Sequence, residues 1–111
     1  MLFILNGVLK VFHGTREGTG HSGAASGGLG DWFGTDSKEY AQRYGKVGCY
    51  RIELNKPYLM DVGEFRSYDR DIFEGFKRAK NYRNELEKKG HDGIIVTHHD
   101  GVHEYTCLTK T

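Results

Sequence analysis

Apolar and polar positions alternate with two different periods along this chain. LFIL at residues 2–5 and VLKVF at residues 8–12 are apolar runs on either side of Asn6-Gly7, the pattern of a β-hairpin closed by a tight turn. WFGT at residues 32–35 is a short extended apolar segment. KVGCYRIEL, YLMDV and DGIIVTH read as further strands. The last of these has a continuous apolar centre, which suits an interior place in a sheet. HEYTCL alternates again, and the Asp100-Gly101 turn before it pairs it with DGIIVTH.

Twice the period lengthens to that of a helix. DSKEYAQRYG, residues 36–45, predicts a short helix with Asp36 as N-cap, Glu39 completing a capping box and Gly45 at the C-terminal end. Tyr40, Ala41 and Tyr44 then share one face. Residues 68–89 predict a long helix with an apolar stripe of Ile72, Phe76, Ala79 and Leu86, ended by Gly90. Mostly strands, with one short and one long helix, make an α+β fold with a largely antiparallel sheet.

Composition narrows the function classes. The 111 residues predict one domain over 1–111. A hydrophobic share of 37% and an aromatic share of 13% are enough for a core. A pI near 7.8 lacks the basic footprint of a nucleic-acid-binding domain. MLFIL is too short for a signal peptide or a membrane span, and no apolar run of roughly 20 residues occurs. A soluble cytoplasmic protein with no membrane partner is therefore expected. Cys49 and Cys107 fall in strand-like runs and are expected as reduced core residues rather than a disulfide framework.

Several residues are candidates for chemistry. The Gly-rich stretch 16–31 has neither Rossmann nor P-loop spacing, so it is a functional loop or a plain surface one. His13 ends an apolar strand before Gly14. It can offer a hydrogen bond to a sugar hydroxyl or simply cap the strand, while Gly14 lets a ligand reach the backbone. Trp32, Phe33, Tyr40 and Tyr44 gather aromatic rings near one loop–helix junction, fit to sandwich a flat ring or to pack a core. Glu104 opens the last strand as either a solvated edge residue or a buried carboxylate, and burial of a carboxylate demands partners. His91, His98, His99, Asp100, His103 and Glu104 share no helix face and no cysteine joins them, so no metal site is expected.

Three of these features stand in an order that resembles the ADP-ribosyltransferase superfamily, on its diphtheria-toxin-like and poly(ADP-ribose) polymerase-like branch with a dispersed His–Tyr–Glu triad. VFHGT, with His13, Gly14 and Thr15, resembles the first motif. GDWFGTDSKEYAQRY resembles the second, with Trp32 where Tyr is usual and Tyr44 or Tyr40 as the second aromatic. HEYTCL, with Glu104 and Tyr105, resembles the third, and GHDGIIV before it is also similar to small members of the superfamily. The resemblance runs from about Val11 to Leu108.

The resemblance implies an ADP-ribosyltransferase-like fold with a split, mostly antiparallel sheet, and NAD as ADP-ribose donor. It implies that Glu104 binds the ribose 2′-hydroxyl, that Trp32 and Tyr44 stack nicotinamide, that Gly14 holds its amide and that His13 binds a ribose hydroxyl. Phe33, Thr15, Ser37 and Tyr40 complete the implied NAD-binding set, and no metal is implied. Val102, two residues before Glu104, departs from the arginine-specific branch and disfavours an arginine acceptor. Mono-ADP-ribosylation of a protein is the activity implied. The compact length resembles small phage or mobile-element members, some of which modify host defence proteins. The alternatives are a nucleic-acid acceptor, for which Arg66, Arg70, Lys77, Arg78, Lys80 and Arg83 form a local basic patch, an NAD glycohydrolase, and a binding module without turnover.

Overall fold

The computed structural model describes residues 7–15, 29, 32–69 and 77–108. Six strands form one sheet in the order β3-β1-β2-β6-β5-β4. They are β1 (Val8–Thr15), β2 (Gly34–Thr35), β3 (Lys46–Glu53), β4 (Pro57–Asp61), β5 (Gly93–Thr97) and β6 (His103–Cys107). Three helices accompany them: α1 (Lys38–Gln42), α2 (Val62–Asp69) and α3 (Lys77–Lys88). Every strand pair is antiparallel except β4 with β5. The expected α+β class with a mostly antiparallel sheet is therefore what the chain forms.

The sheet is thinnest at β2. Two residues of β2 link β1, through Phe12 opposite Thr35, to β6, through Thr35 opposite Glu104. Paired residues of neighbouring strands project to the same face, and successive residues of one strand project to opposite faces. One cross-strand row therefore runs Cys49, Phe12, Thr35, Glu104, Val96, Met60 across all six strands. Glu104 sits in the middle of that row, so the solvated-edge reading of this residue does not hold.

The two faces build two apolar clusters. Met60, Val62, Ala79, Leu86, Ile94, Val96 and Leu108, with Leu29, pack under α2 and α3. Val11, Leu54, Ile95 and Tyr105 pack on the other face, flanked by Leu9, Trp32 and Ile52. DGIIVTH is interior as expected, since β5 has β6 and β4 as neighbours. The Asp100-Gly101 turn also forms as expected. Its Gly101 takes φ +86°, a left-handed value that favours glycine, and His98 N–H donates to the Val102 carbonyl across it.

Several expectations change. Helix α3 covers 77–88 of the helix expected over 68–89, while α2 starts at Val62, which YLMDV had placed in a strand; residues 70–76 lie outside the described residues. The reason is local. Asp61 Oδ1 accepts from Glu64 N–H at 2.8 Å, an N-cap, and Val62, Phe65 and Tyr68 fall at three-residue spacing toward the same cluster. Asp61→Ala is expected to cost about 1 kcal/mol, read as a lower urea midpoint with unchanged slope. An unchanged midpoint would mean the cap contributes nothing.

The N-cap of α1 is Ser37, whose Oγ accepts from Tyr40 N–H at 3.1 Å, and not Asp36. Asp36 is drawn off by β6: its carboxylate accepts from His103 N–H at 2.9 Å and meets His103 Nδ1 at 2.6 Å. Cys49 is exposed on β3, an edge strand, rather than in the core, and Cys107 is half-buried. Burial, then the charge of Asp92, raises the Cys107 thiol pKa, which keeps it protonated. Residues 2–5 of the expected hairpin, most of the 16–31 loop, and Ile72 and Phe76 lie outside the described residues. No helix among the described residues is long and apolar enough to cross a membrane.

Candidate functional site

A cavity of about 510 Å³ opens on the face of the sheet that carries Phe12, Thr35 and Glu104. Helix α1 and the turn after it form one wall with Tyr40, Ala41 and Tyr44, α2 another with Val62, Phe65 and Arg66, and the β5–β6 turn a third with His98, His99 and Asp100. The volume falls within the roughly 300–1,000 Å³ usual for small-molecule sites.

Alternation along β1 decides which residues reach this space. Phe12 and Gly14 face the cavity, so Val11 and His13 face away from it, into the cluster around Val11. The approach of α1 to Gly14 is close: a side chain there would overlap the Ala41 carbonyl oxygen. Glycine is thus what allows the helix, and Tyr40 with it, to lie against the strand.

The cavity's carboxylate is Glu104, whose side chain is 12% exposed. Its Oε1 accepts from Tyr40 O–H at 3.1 Å and lies 2.6 Å from His98 Nε2. Both bonds land on Oε1, and Oε2 has no hydrogen-bond partner among the described residues. Tyr40 and Tyr44 hydroxyls are 3.3 Å apart. Because Tyr40 gives its proton to Glu104, Tyr44 donates to Tyr40, and a chain runs Tyr44 to Tyr40 to Glu104. Burial, then the Tyr44 bond and the Glu104 charge, pushes the Tyr40 pKa well above the usual tyrosine range. Tyr40 therefore remains a donor at any working pH. Tyr40→Phe is expected to cost about 1.5 kcal/mol, the lower end for a bond to a charged group, read by thermal unfolding. No loss would show that His98 alone holds the carboxylate.

Five of the residues singled out by sequence meet at this cavity: Gly14, Phe33, Tyr40, Tyr44 and Glu104. His13, Trp32 and Ser37 do not line it. His13 is buried and stacks on Trp32 with centroids 4.4 Å apart and planes 22° apart. Its Nδ1–H donates to the Phe33 carbonyl at 2.7 Å, which leaves Nε2 buried with no partner among the described residues. His13 thus acts on the cavity only through the backbone of Phe33. Trp32 turns away because Phe33, its neighbour, takes the cavity side, where its ring meets Phe65 at 5.7 Å. Ser37 is occupied as the cap of α1. Thr15 pairs with Lys46 in the ladder, and its side chain lies outside the described residues.

By sequence His98 stands out only as a possible metal ligand, yet it makes Glu104's shortest contact. Among the described residues no group of three or more His, Cys, Asp or Glu is placed to hold a metal ion. Arg66, a member of the basic patch that the sequence offers, lines the cavity, as does Arg43, whose guanidinium lies 5.2 Å from the Tyr40 ring centroid. Nothing in the sequence marks these two arginines as lining one cavity, because one is the C-cap of α1 and the other belongs to α2, with β3 and β4 between them in the chain. The site thus combines a shielded carboxylate with one free oxygen, five aromatic rings (Phe12, Phe33, Tyr40, Tyr44 and Phe65) and two guanidinium groups.

No protein-family model and no curated protein matches the chain. Among solved structures, the crystal structure of an anti-CRISPR protein is similar to it with a TM-score of 0.48 and 18% sequence identity, over 91% of this chain and 90% of that chain.

Proposed function

We propose that this chain has an ADP-ribosyltransferase-like fold and is a mono-ADP-ribosyltransferase, cleaving the nicotinamide–ribose bond of NAD and passing ADP-ribose to a protein in the cytoplasm of a host cell. One observation carries the reading: Glu104 lines a ligand-sized cavity with Oε1 held by two side chains and Oε2 open. Breaking the bond develops positive charge on the ribose, as in glycoside hydrolysis. A fixed carboxylate that takes the 2′-hydroxyl proton in a hydrogen bond stabilises that charge more in the transition state than in the ground state.

The other walls fit the rest of NAD. Phe33, Tyr40, Tyr44 and Phe65 offer aromatic faces to nicotinamide, a role that Trp32 cannot take from the opposite face of the sheet. Arg43 and Arg66 are cations at the same cavity, suited to the pyrophosphate. The VFHGT, GDWFGTDSKEYAQRY and HEYTCL motifs support the same family.

The test is to incubate the full chain with NAD labelled on the adenylate, alone and with a bacterial lysate, following nicotinamide and label together. Released nicotinamide with label on a discrete protein band supports the reading. Nicotinamide with only free ADP-ribose would replace it with a glycohydrolase. A folded chain that neither binds NAD nor releases nicotinamide would overturn it.

A further inference from the structure

The 2.6 Å contact between Glu104 and His98 fixes more than the carboxylate. A carboxylate can only accept, so the proton of this bond belongs to His98 Nε2. In the neutral imidazole the other nitrogen, Nδ1, then carries a lone pair. Nδ1 has no hydrogen-bond partner among the described residues, and the His98 side chain lines the same cavity as Glu104 while being only 15% exposed. A carboxylate that fixes the tautomer of an imidazole and leaves its second nitrogen bare is the arrangement of an oriented general base.

We propose that His98 is the base that deprotonates the acceptor, and that the acceptor is consequently an X–H group, a hydroxyl or an amide, rather than a carboxylate. This rests on the transferase reading above. In the step, the bond from ribose C1′ to nicotinamide breaks and its electron pair returns to the pyridine ring, releasing neutral nicotinamide. The acceptor lone pair forms the new bond to C1′. The acceptor proton passes to His98 Nδ1, and the resulting imidazolium stands beside the negative Glu104, which lowers its energy at the moment it forms. A carboxylate acceptor has no proton to lose at neutral pH and would leave His98 idle. Glu104 thereby serves both halves of the reaction, with Oε2 toward the ribose and Oε1 toward the base. The surrounding groups are consistent with this: Tyr40 faces the His98 ring at 5.5 Å and stays protonated, so it neither competes for the proton nor adds charge.

Two measurements on the full chain test the proposal. The first needs no turnover. In ¹⁵N-histidine-labelled protein, with the His98 signal assigned by its loss in His98→Gln, long-range proton–nitrogen correlations recorded on the neutral imidazole are expected to show a protonated Nε2 and a bare Nδ1. A proton on Nδ1 would overturn the assignment. The second compares His98→Gln with wild type on a lysate or purified acceptor. Glutamine can still donate to Glu104 but takes up no proton. Transfer at saturating NAD is expected to fall by about 10²-fold or more, with NAD affinity kept within about threefold, the pattern of a lost transition-state interaction. Free imidazole should restore part of the rate to His98→Ala.

Transfer by His98→Gln at the wild-type rate, or label that hydroxylamine removes as it would an ester to a carboxylate, overturns this inference alone. A wild-type chain that releases no nicotinamide overturns the transferase reading and this inference with it.

Discussion

Glu104→Gln is expected to lower nicotinamide release from NAD by about 10²–10³-fold, the usual cost of losing one preorganised electrostatic partner of a transition state. The substitution is isosteric. Its amide oxygen can still accept from Tyr40 O–H and His98 Nε2–H, the two groups that hold Oε1. It cannot supply the negative charge that an oxocarbenium-like ribose calls for. The loss should therefore appear in turnover at saturating NAD while binding changes little. The melting temperature should move by no more than about 5 °C, since roughly 1 kcal/mol shifts a domain of this size by 4–8 °C. Retained turnover in a folded Glu104→Gln protein would remove Glu104 from the chemistry. Lost turnover together with a collapsed melting temperature would mark it as structural.

Gly14→Ala is expected to cost stability and site geometry together. A Cβ at this position would overlap the Ala41 carbonyl oxygen and lie 3.1 Å from the Tyr44 Cβ. The neighbour is backbone, which cannot swing aside as the tip of a side chain can, so α1 has to move as a unit. Overpacking of this kind costs about 1–3 kcal/mol, and the melting temperature should fall by roughly 5–20 °C at 4–8 °C per kcal/mol. Displacement of α1 also carries Tyr40 off Glu104, whose hydrogen bond already spans 3.1 Å. NAD cleavage should drop even at temperatures where the variant is folded. A variant as stable and active as wild type would mean that α1 does not pack on β1 as described.

Much of the fold is legible because its signals are local. The Asp100-Gly101 turn joins β5 to β6, and Glu104 lies beyond it at the start of a strand. Gly45, expected at the C′ position of α1, takes a glycine-favouring φ of +133° one residue beyond it, since Arg43 is the C-cap. Misreadings arose where two local signals competed. Asp36 and Ser37 both precede α1 as capping types, and only the pairing of Asp36 with His103, 67 residues away, decides that Ser37 is the cap. Asp61 to Glu64 has the Asp-x-x-Glu spacing of a capping box. It was overridden by the strand-like run of YLMDV, although the Val62, Phe65, Tyr68 spacing was there to favour a helix.

The candidate site divides in the same way. Residue identity and strand period sufficed to single out Gly14, Phe33, Tyr40, Tyr44 and Glu104, because each carries its chemistry in its own side chain or in the lack of one. The period also requires Val11 and His13 to share one face of β1, and Phe12 and Gly14 the other. It has no means of saying which face meets a cavity. That is set by α1 and α2 lying against the Phe12–Thr35–Glu104 row, and it puts His13 and Trp32 on the far side. Likewise the sequence determined that a carboxylate begins β6 and that a histidine follows β5. His98 meets Glu104 at 2.6 Å across the β5–β6 turn, but only the tertiary structure joined the halves of the sheet through two residues of β2 and ran β4 parallel to β5. Such pairings depend on the summed packing of segments distant along the chain, and no short window of sequence contains that sum.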